Sequence, residues 1–80
     1  MQKNYWRIKC SHTPETIDKI MLSFRKRGLV LEELHYKKNS PNTAICELEF
    51  EEELENAERI RKNTLRLEDI LEIEVLQVAQ

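Results

Sequence analysis

Apolar residues in this chain recur at two alternating periods, and the order of those periods constrains the fold more than any other feature. In NYWRIKC, residues 4–10, Trp6, Ile8 and Cys10 share one face while Tyr5, Arg7 and Lys9 share the other. A period of two marks a strand with one buried face. In SHTPETIDKIMLSFRKRG the period lengthens, with Ile17, Ile20, Met21 and Phe24 at i, i+3, i+4 and i+7, the stripe of an amphipathic helix. Thr13 is placed to cap that helix, Pro14 suits its first position, and Glu15 complements the positive end of its dipole. Gly28, the only glycine in the chain, stands where a left-handed residue ends a helix. Arg25, Lys26 and Arg27 occupy the last turn, where cations offset the negative end of the dipole.

The same alternation continues to the end. LVLEELHYKK reads as a second strand with a kink expected at Glu32-Glu33, and NSPN as a turn. TAICELEF alternates cleanly, with Ala44, Cys46, Leu48 and Phe50 inward and Ile45, Glu47 and Glu49 outward. The short connection makes these two strands a hairpin. EEELENAERIRKNTLRL reads as a second helix with Leu54, Ala57, Ile60, Thr64 and Leu67 inward, and its acidic run Glu51–Glu53 as the helix start. Glu55–Arg59 and Glu58–Lys62 are i, i+4 pairs of favourable polarity. DILEIEVLQV closes the chain as a strand, with Leu71, Ile73 and Val75 on one face. The order βαββαβ with right-handed crossovers predicts an α+β, ferredoxin-like fold: a four-stranded antiparallel sheet with two helices on one face.

Eighty residues hold a single domain, expected over 1–80, with one modest core. A formal net charge of −2 argues against general affinity for a phosphate backbone. The outward positions of the first and third strands also carry Glu47 and Glu49 where an RNA platform would carry aromatics. No apolar run approaches the roughly 20 residues needed to span a bilayer, and MQKNYWRIKC is too polar for a signal peptide, so a cytoplasmic setting is expected. Cys10 and Cys46 both fall in strands and read as buried thiols. Their spacing with His12 and His35 matches no structural zinc pattern, so no metal site is expected. A metallochaperone of this topology needs a CxxC before its first helix, and only Cys10 stands there. The first loop, SHTPE, lacks the arginine and glycines of a small phosphatase site. No catalytic residues are expected, because no nucleophile–base set or paired carboxylates can be assembled.

The run PETIDKIMLSFRKRGLVLEEL, Pro14 to Leu34, resembles an ACT domain, and more closely the small regulatory subunit of acetolactate synthase (acetohydroxyacid synthase). Arg27, Gly28, Leu31, Glu33 and Leu34 stand in that family's pattern of a basic helix end, a glycine, and a strand with an acidic residue then leucine. RLEDILEIEVL, Arg66 to Leu76, resembles its closing segment, and TPETIDKIM resembles the start of the short type that accompanies isoenzyme II catalytic subunits.

The resemblance implies a non-catalytic regulatory or activating subunit in branched-chain amino-acid biosynthesis, with no cofactor of its own. Thiamine diphosphate, magnesium and FAD would sit on the large catalytic partner. It implies an effector site at the first loop and helix start, on Ser11, His12, Thr13 and Glu15. Where the family places a glycine this chain has Glu15, and His12 replaces an asparagine, so weak or absent valine sensitivity is expected. A homodimer through edge strands is expected, and Leu22, Leu31, Leu34 and Tyr36 are the candidate dimer or partner contacts, Leu22 with Lys19 and Lys26 beside it. A free-standing amino-acid sensor and a protein-interaction module of the same fold are the alternatives.

Overall fold

The structure, a computed structural model, describes residues 1–79; Gln80, the last residue of the expected domain, lies outside the described residues. The elements follow in the expected order: β1 (Gln2–Ser11), α1 (Thr16–Arg25), β2 (Leu31–Lys38), β3 (Thr43–Glu52), α2 (Leu54–Thr64) and β4 (Ile70–Ala79). All strand pairings are antiparallel, in the order β2-β3-β1-β4. Strands β1 and β3 are therefore central, and β2 and β4 are the edges.

Alternation puts one face of the sheet into the core. Trp6, Ile8 and Cys10 of β1 meet Leu48, Cys46 and Ala44 of β3 across the central pair. Ile20 and Phe24 of α1 and Ala57 and Ile60 of α2 join these in a single buried cluster, so both helices cover the same face. At its centre Trp6, Phe24 and Phe50 pack edge to face, with ring centroids 4.9–5.8 Å apart, the arrangement that aromatic quadrupoles favour. Where the helices touch, buried Ser23 and Thr64 place their hydroxyls 3.2 Å apart.

Several local expectations are corrected. Helix α1 begins at Thr16 with Glu15 at its N-cap, because Thr13, Pro14 and Glu15 form a turn closed from the Thr16 amide to the Thr13 carbonyl. Its buried face is Thr16, Ile20, Ser23 and Phe24, while Met21 is exposed. The helix is turned so that Thr16 reaches the Ser11 carbonyl and Ser23 reaches Thr64, which moves Met21 out of the buried stripe. Glu51 and Glu52 belong to β3 rather than to the second helix, which ends at Thr64, so Leu67 packs on the core from beyond it. Leu54, at the first position of α2, is exposed. Glu58 pairs with Arg61 one turn away, in place of Lys62.

In β4, register shifts beside Lys9 and Tyr5 leave Leu71 and Leu76 without partners. The first bulge hands the inward position of Leu71 to Ile70, which is buried while Leu71 is 53% exposed. The kink expected in β2 is present: Leu31 pairs with Phe50 and Glu33 with Glu49, leaving Glu32 as the extra residue.

The single glycine closes α1 as expected. Gly28 has φ +70°, its amide donates to the Arg25 carbonyl, and the Leu29 amide reaches back to the Phe24 carbonyl. This is the Schellman arrangement, and Leu29 adds the accompanying apolar contact with the core. Arg27 assists through Nη1, which donates to the Ser23 carbonyl at 2.8 Å.

Candidate functional site at the first loop and edge strand

The loop from Ser11 to Glu15 is held from three directions. The Ser11 amide donates to the Asp69 carbonyl at 2.8 Å, and the His12 amide donates to the Asn42 carbonyl at 2.9 Å. From below, buried Thr16 donates its hydroxyl to the Ser11 carbonyl and lies 2.7 Å from the Thr13 hydroxyl. The Thr13 amide completes the knot by donating to Thr16 Oγ1 at 3.3 Å. Lys19, one turn into α1, forms a 2.7 Å ion pair with Asp69, and that hydrogen bond holds its ammonium above the usual lysine range.

Of the candidate effector residues, His12 is brought to the edge strand. Its Nδ1 lies 3.1 Å from the Tyr36 hydroxyl, with the two rings tilted over one another at 5.8 Å. Burial raises the Tyr36 phenol, so it stays protonated and able to donate to the imidazole. The Ser11 carbonyl and the Thr13 amide and hydroxyl face Thr16 and are occupied by it. Glu15 is exposed at the helix start, and no side chain caps α1 there. The site therefore presents a carboxylate, an imidazole and a phenol around a loop whose inner hydrogen-bonding groups are already satisfied. Sequence reasoning missed Thr16, Asn42 and Asp69. A second threonine three residues after Thr13 was the available signal for the first; Asn42 acts through a backbone carbonyl that any residue would supply, and Asp69 adds to its carbonyl a carboxylate paired with Lys19, far away in sequence.

The candidate contact residues divide between two surfaces. Leu31, Leu34 and Tyr36 lie on the helix-facing side of β2, half-buried at the edge of the core. An open hollow of about 870 Å³ wraps this edge between Leu34 and Lys37. Leu22 lies apart from them, in a groove between the helices. On the helix-free face Arg7 bridges Glu47 and Glu74 at 3.1 and 3.4 Å, tying β3 and β4 across β1. No helix among the described residues is long and apolar enough to cross a membrane.

No protein-family model matches the sequence, and no curated protein matches it. Solved structures do match the fold. The ACT domain from GTP pyrophosphokinase of Chlorobium tepidum superposes with a TM-score of 0.78 at 12% identity, over 92% of this chain and 96% of that one. The small subunit of acetolactate synthase from Thermotoga maritima gives 0.83 at 13% identity, over 94% of this chain. The chain spans 47% of that subunit. The C-terminal domain of the MgtC protein from Mycobacterium tuberculosis gives 0.72 at 13%, over 100% and 93% of the two chains. The protein is an α+β domain of the ferredoxin-like βαββαβ class. More narrowly, its fold is the one shared by ACT domains.

Proposed function

We propose that this chain is the non-catalytic small subunit of an acetolactate synthase, regulating or activating the enzyme in branched-chain amino-acid biosynthesis. The observation that carries this reading is the segment Arg27 to Leu34. Its residues resemble the family's pattern, and they fold as a helix closed by left-handed Gly28, a bulge at Glu32 and an edge strand. The overlap with an acetolactate synthase small subunit supports the same reading. In this role the chemistry, with thiamine diphosphate, magnesium and FAD, belongs to the large partner. The present chain shifts that partner's conformational equilibrium by docking to it.

Two copies would join through β2. Pairing β2 antiparallel with itself about His35 sets Glu33 opposite Lys37 of the other copy, and Leu34 opposite its Tyr36. Residues directly opposite share a face, so this register matches charge with charge outside and apolar with apolar inside.

Mixing the purified chain with the large catalytic subunit tests the assignment. A stable complex on gel filtration, with synthase activity altered by the small chain, is the expected result. Two proteins that elute separately at micromolar concentration, with activity unchanged, would falsify it.

A further inference from the structure

Between α1 and α2 runs an open groove of about 220 Å³, lined by Leu22 and Leu67 together with Lys19, Lys26, Arg27 and Asn63. Leu22 is 37% exposed and lies outside the core cluster. Lys19 is committed to Asp69, and Arg27 gives one nitrogen to the Ser23 carbonyl. Among the described residues, no carboxylate lies within 4.0 Å of Lys26 or Arg27, nor of Arg25, Arg59, Lys62 or Arg66 on or just after the helices.

Leucine set among uncompensated cations leaves two costs on one surface, apolar area in water and like-charge repulsion. A single kind of occupant relieves both. We propose that this groove receives an acidic segment of a partner protein, with an aliphatic side chain against Leu22 and Leu67 and carboxylates facing Lys26 and Arg27. The groove's volume, about 220 Å³, falls short of the roughly 300–1,000 Å³ that encloses a drug-sized ligand and matches one or two side chains of a longer segment. Its chemistry disfavours nucleic acid, because single strands stack bases on aromatic rings. Here Trp6, Phe24 and Phe50 are buried, and both tyrosines belong to the sheet. The inference does not depend on which enzyme supplies the segment.

Selection of short random peptides displayed on phage, against the purified full chain, tests this. Expected binders carry Asp or Glu flanking Leu or Ile. Their affinity, read by fluorescence anisotropy, should fall about tenfold or more in Leu22→Asp and in Lys26→Glu, and should weaken as salt is added. Both side chains are exposed, so both variants should stay folded, Lys26→Glu with a small loss of stability at the end of α1; if Leu22→Asp does not fold, Lys26→Glu carries the test. Failure to recover any binder, binders without acidic residues, or binders indifferent to the variants would overturn the proposal. So would displacement of the peptide by an equal concentration of single-stranded oligonucleotide. Because the peptides stand in for the partner, the groove and the acetolactate synthase assignment fail separately.

Discussion

The hydroxyl of Thr16 donates a 2.7 Å hydrogen bond to the carbonyl of Ser11, joining the first turn of α1 to the last residue of β1. Thr16 is fully buried and also meets the Thr13 hydroxyl. Thr16→Val keeps the side-chain shape and deletes these contacts together with the one from the Thr13 amide, leaving the Ser11 carbonyl without this donor. Loss of a buried partner costs about 1–3 kcal/mol. Urea denaturation should show that loss, while Thr16→Ser, which keeps the hydroxyl, should lose less. Equal midpoints for Thr16→Val and wild type would mean that the loop is held by its backbone contacts alone.

Gly28 isolates a purely conformational cost. A Cβ built there would meet nothing within 4 Å, yet φ is +70°. Gly28→Val should therefore destabilise the domain by at least about 1 kcal/mol through backbone strain and not through a clash. Gly28→Asn should be milder, since asparagine tolerates the left-handed region. Indistinguishable melting curves for the three proteins would contradict this closure of α1.

Self-pairing of β2 makes a charge-swap prediction. Glu33→Lys would set lysine against lysine twice across the two-fold axis. With cross-strand charge pairs worth about 0.2–1 kcal/mol each, dimer affinity should fall about tenfold. Adding Lys37→Glu to the same chain should restore it. Sedimentation equilibrium reads both effects, and an unchanged dimer in Glu33→Lys would exclude this register.

Both thiols should be inert in the folded protein. Burial pushes Cys46 up to about 12 and raises Cys10 as well, against about 8.5 for an exposed thiol. The thiolate is the nucleophile, so at about pH 8 iodoacetamide should modify the native chain only as fast as it unfolds. A folded-state pKa above the unfolded one contributes stability that is complete below about pH 8.5 and disappears as pH rises toward 12. The Cys10→Ala/Cys46→Ala double variant should accordingly lose less stability than wild type across that alkaline window. Rapid labelling of native protein would show that the core opens without unfolding.

Valine should bind weakly or not at all. The inner groups of the first loop are occupied by Thr16, Asn42 and Asp69, and exposed Glu15 sets a carboxylate where the resemblance would place an effector's carboxylate. Calorimetric titration should find millimolar affinity at best, roughly −4 kcal/mol. Glu15→Gly should improve it if charge and bulk at that position are the obstacle. Micromolar binding to the wild-type chain would show that the loop receives the ligand in another way.

The chain's periodicities determined by themselves which segments are strands and helices, which face of β1 and β3 is buried, and where α1 ends. These are local or pairwise properties: a period of two or of 3.6, and a φ that glycine alone adopts freely. Tertiary structure decided the rest. Nothing in DILEIEVLQV signals that Leu71 is an extra residue; that bulge depends on how β4 registers against β1. The stripe that α1 buries depended on how the helix sits against β1 and α2, where Thr16 meets the Ser11 carbonyl and Ser23 meets Thr64. The candidate site followed the same division. Ser11, His12, Thr13 and Glu15 are contiguous and could be read directly. Their surroundings, Tyr36 beside His12 and the carbonyls of Asn42 and Asp69 beneath the loop, are distant in sequence and were assembled only when the sheet closed. The helix groove is of the second kind too, because Leu22 and Leu67 share a surface only once α1 and α2 cover the same sheet face.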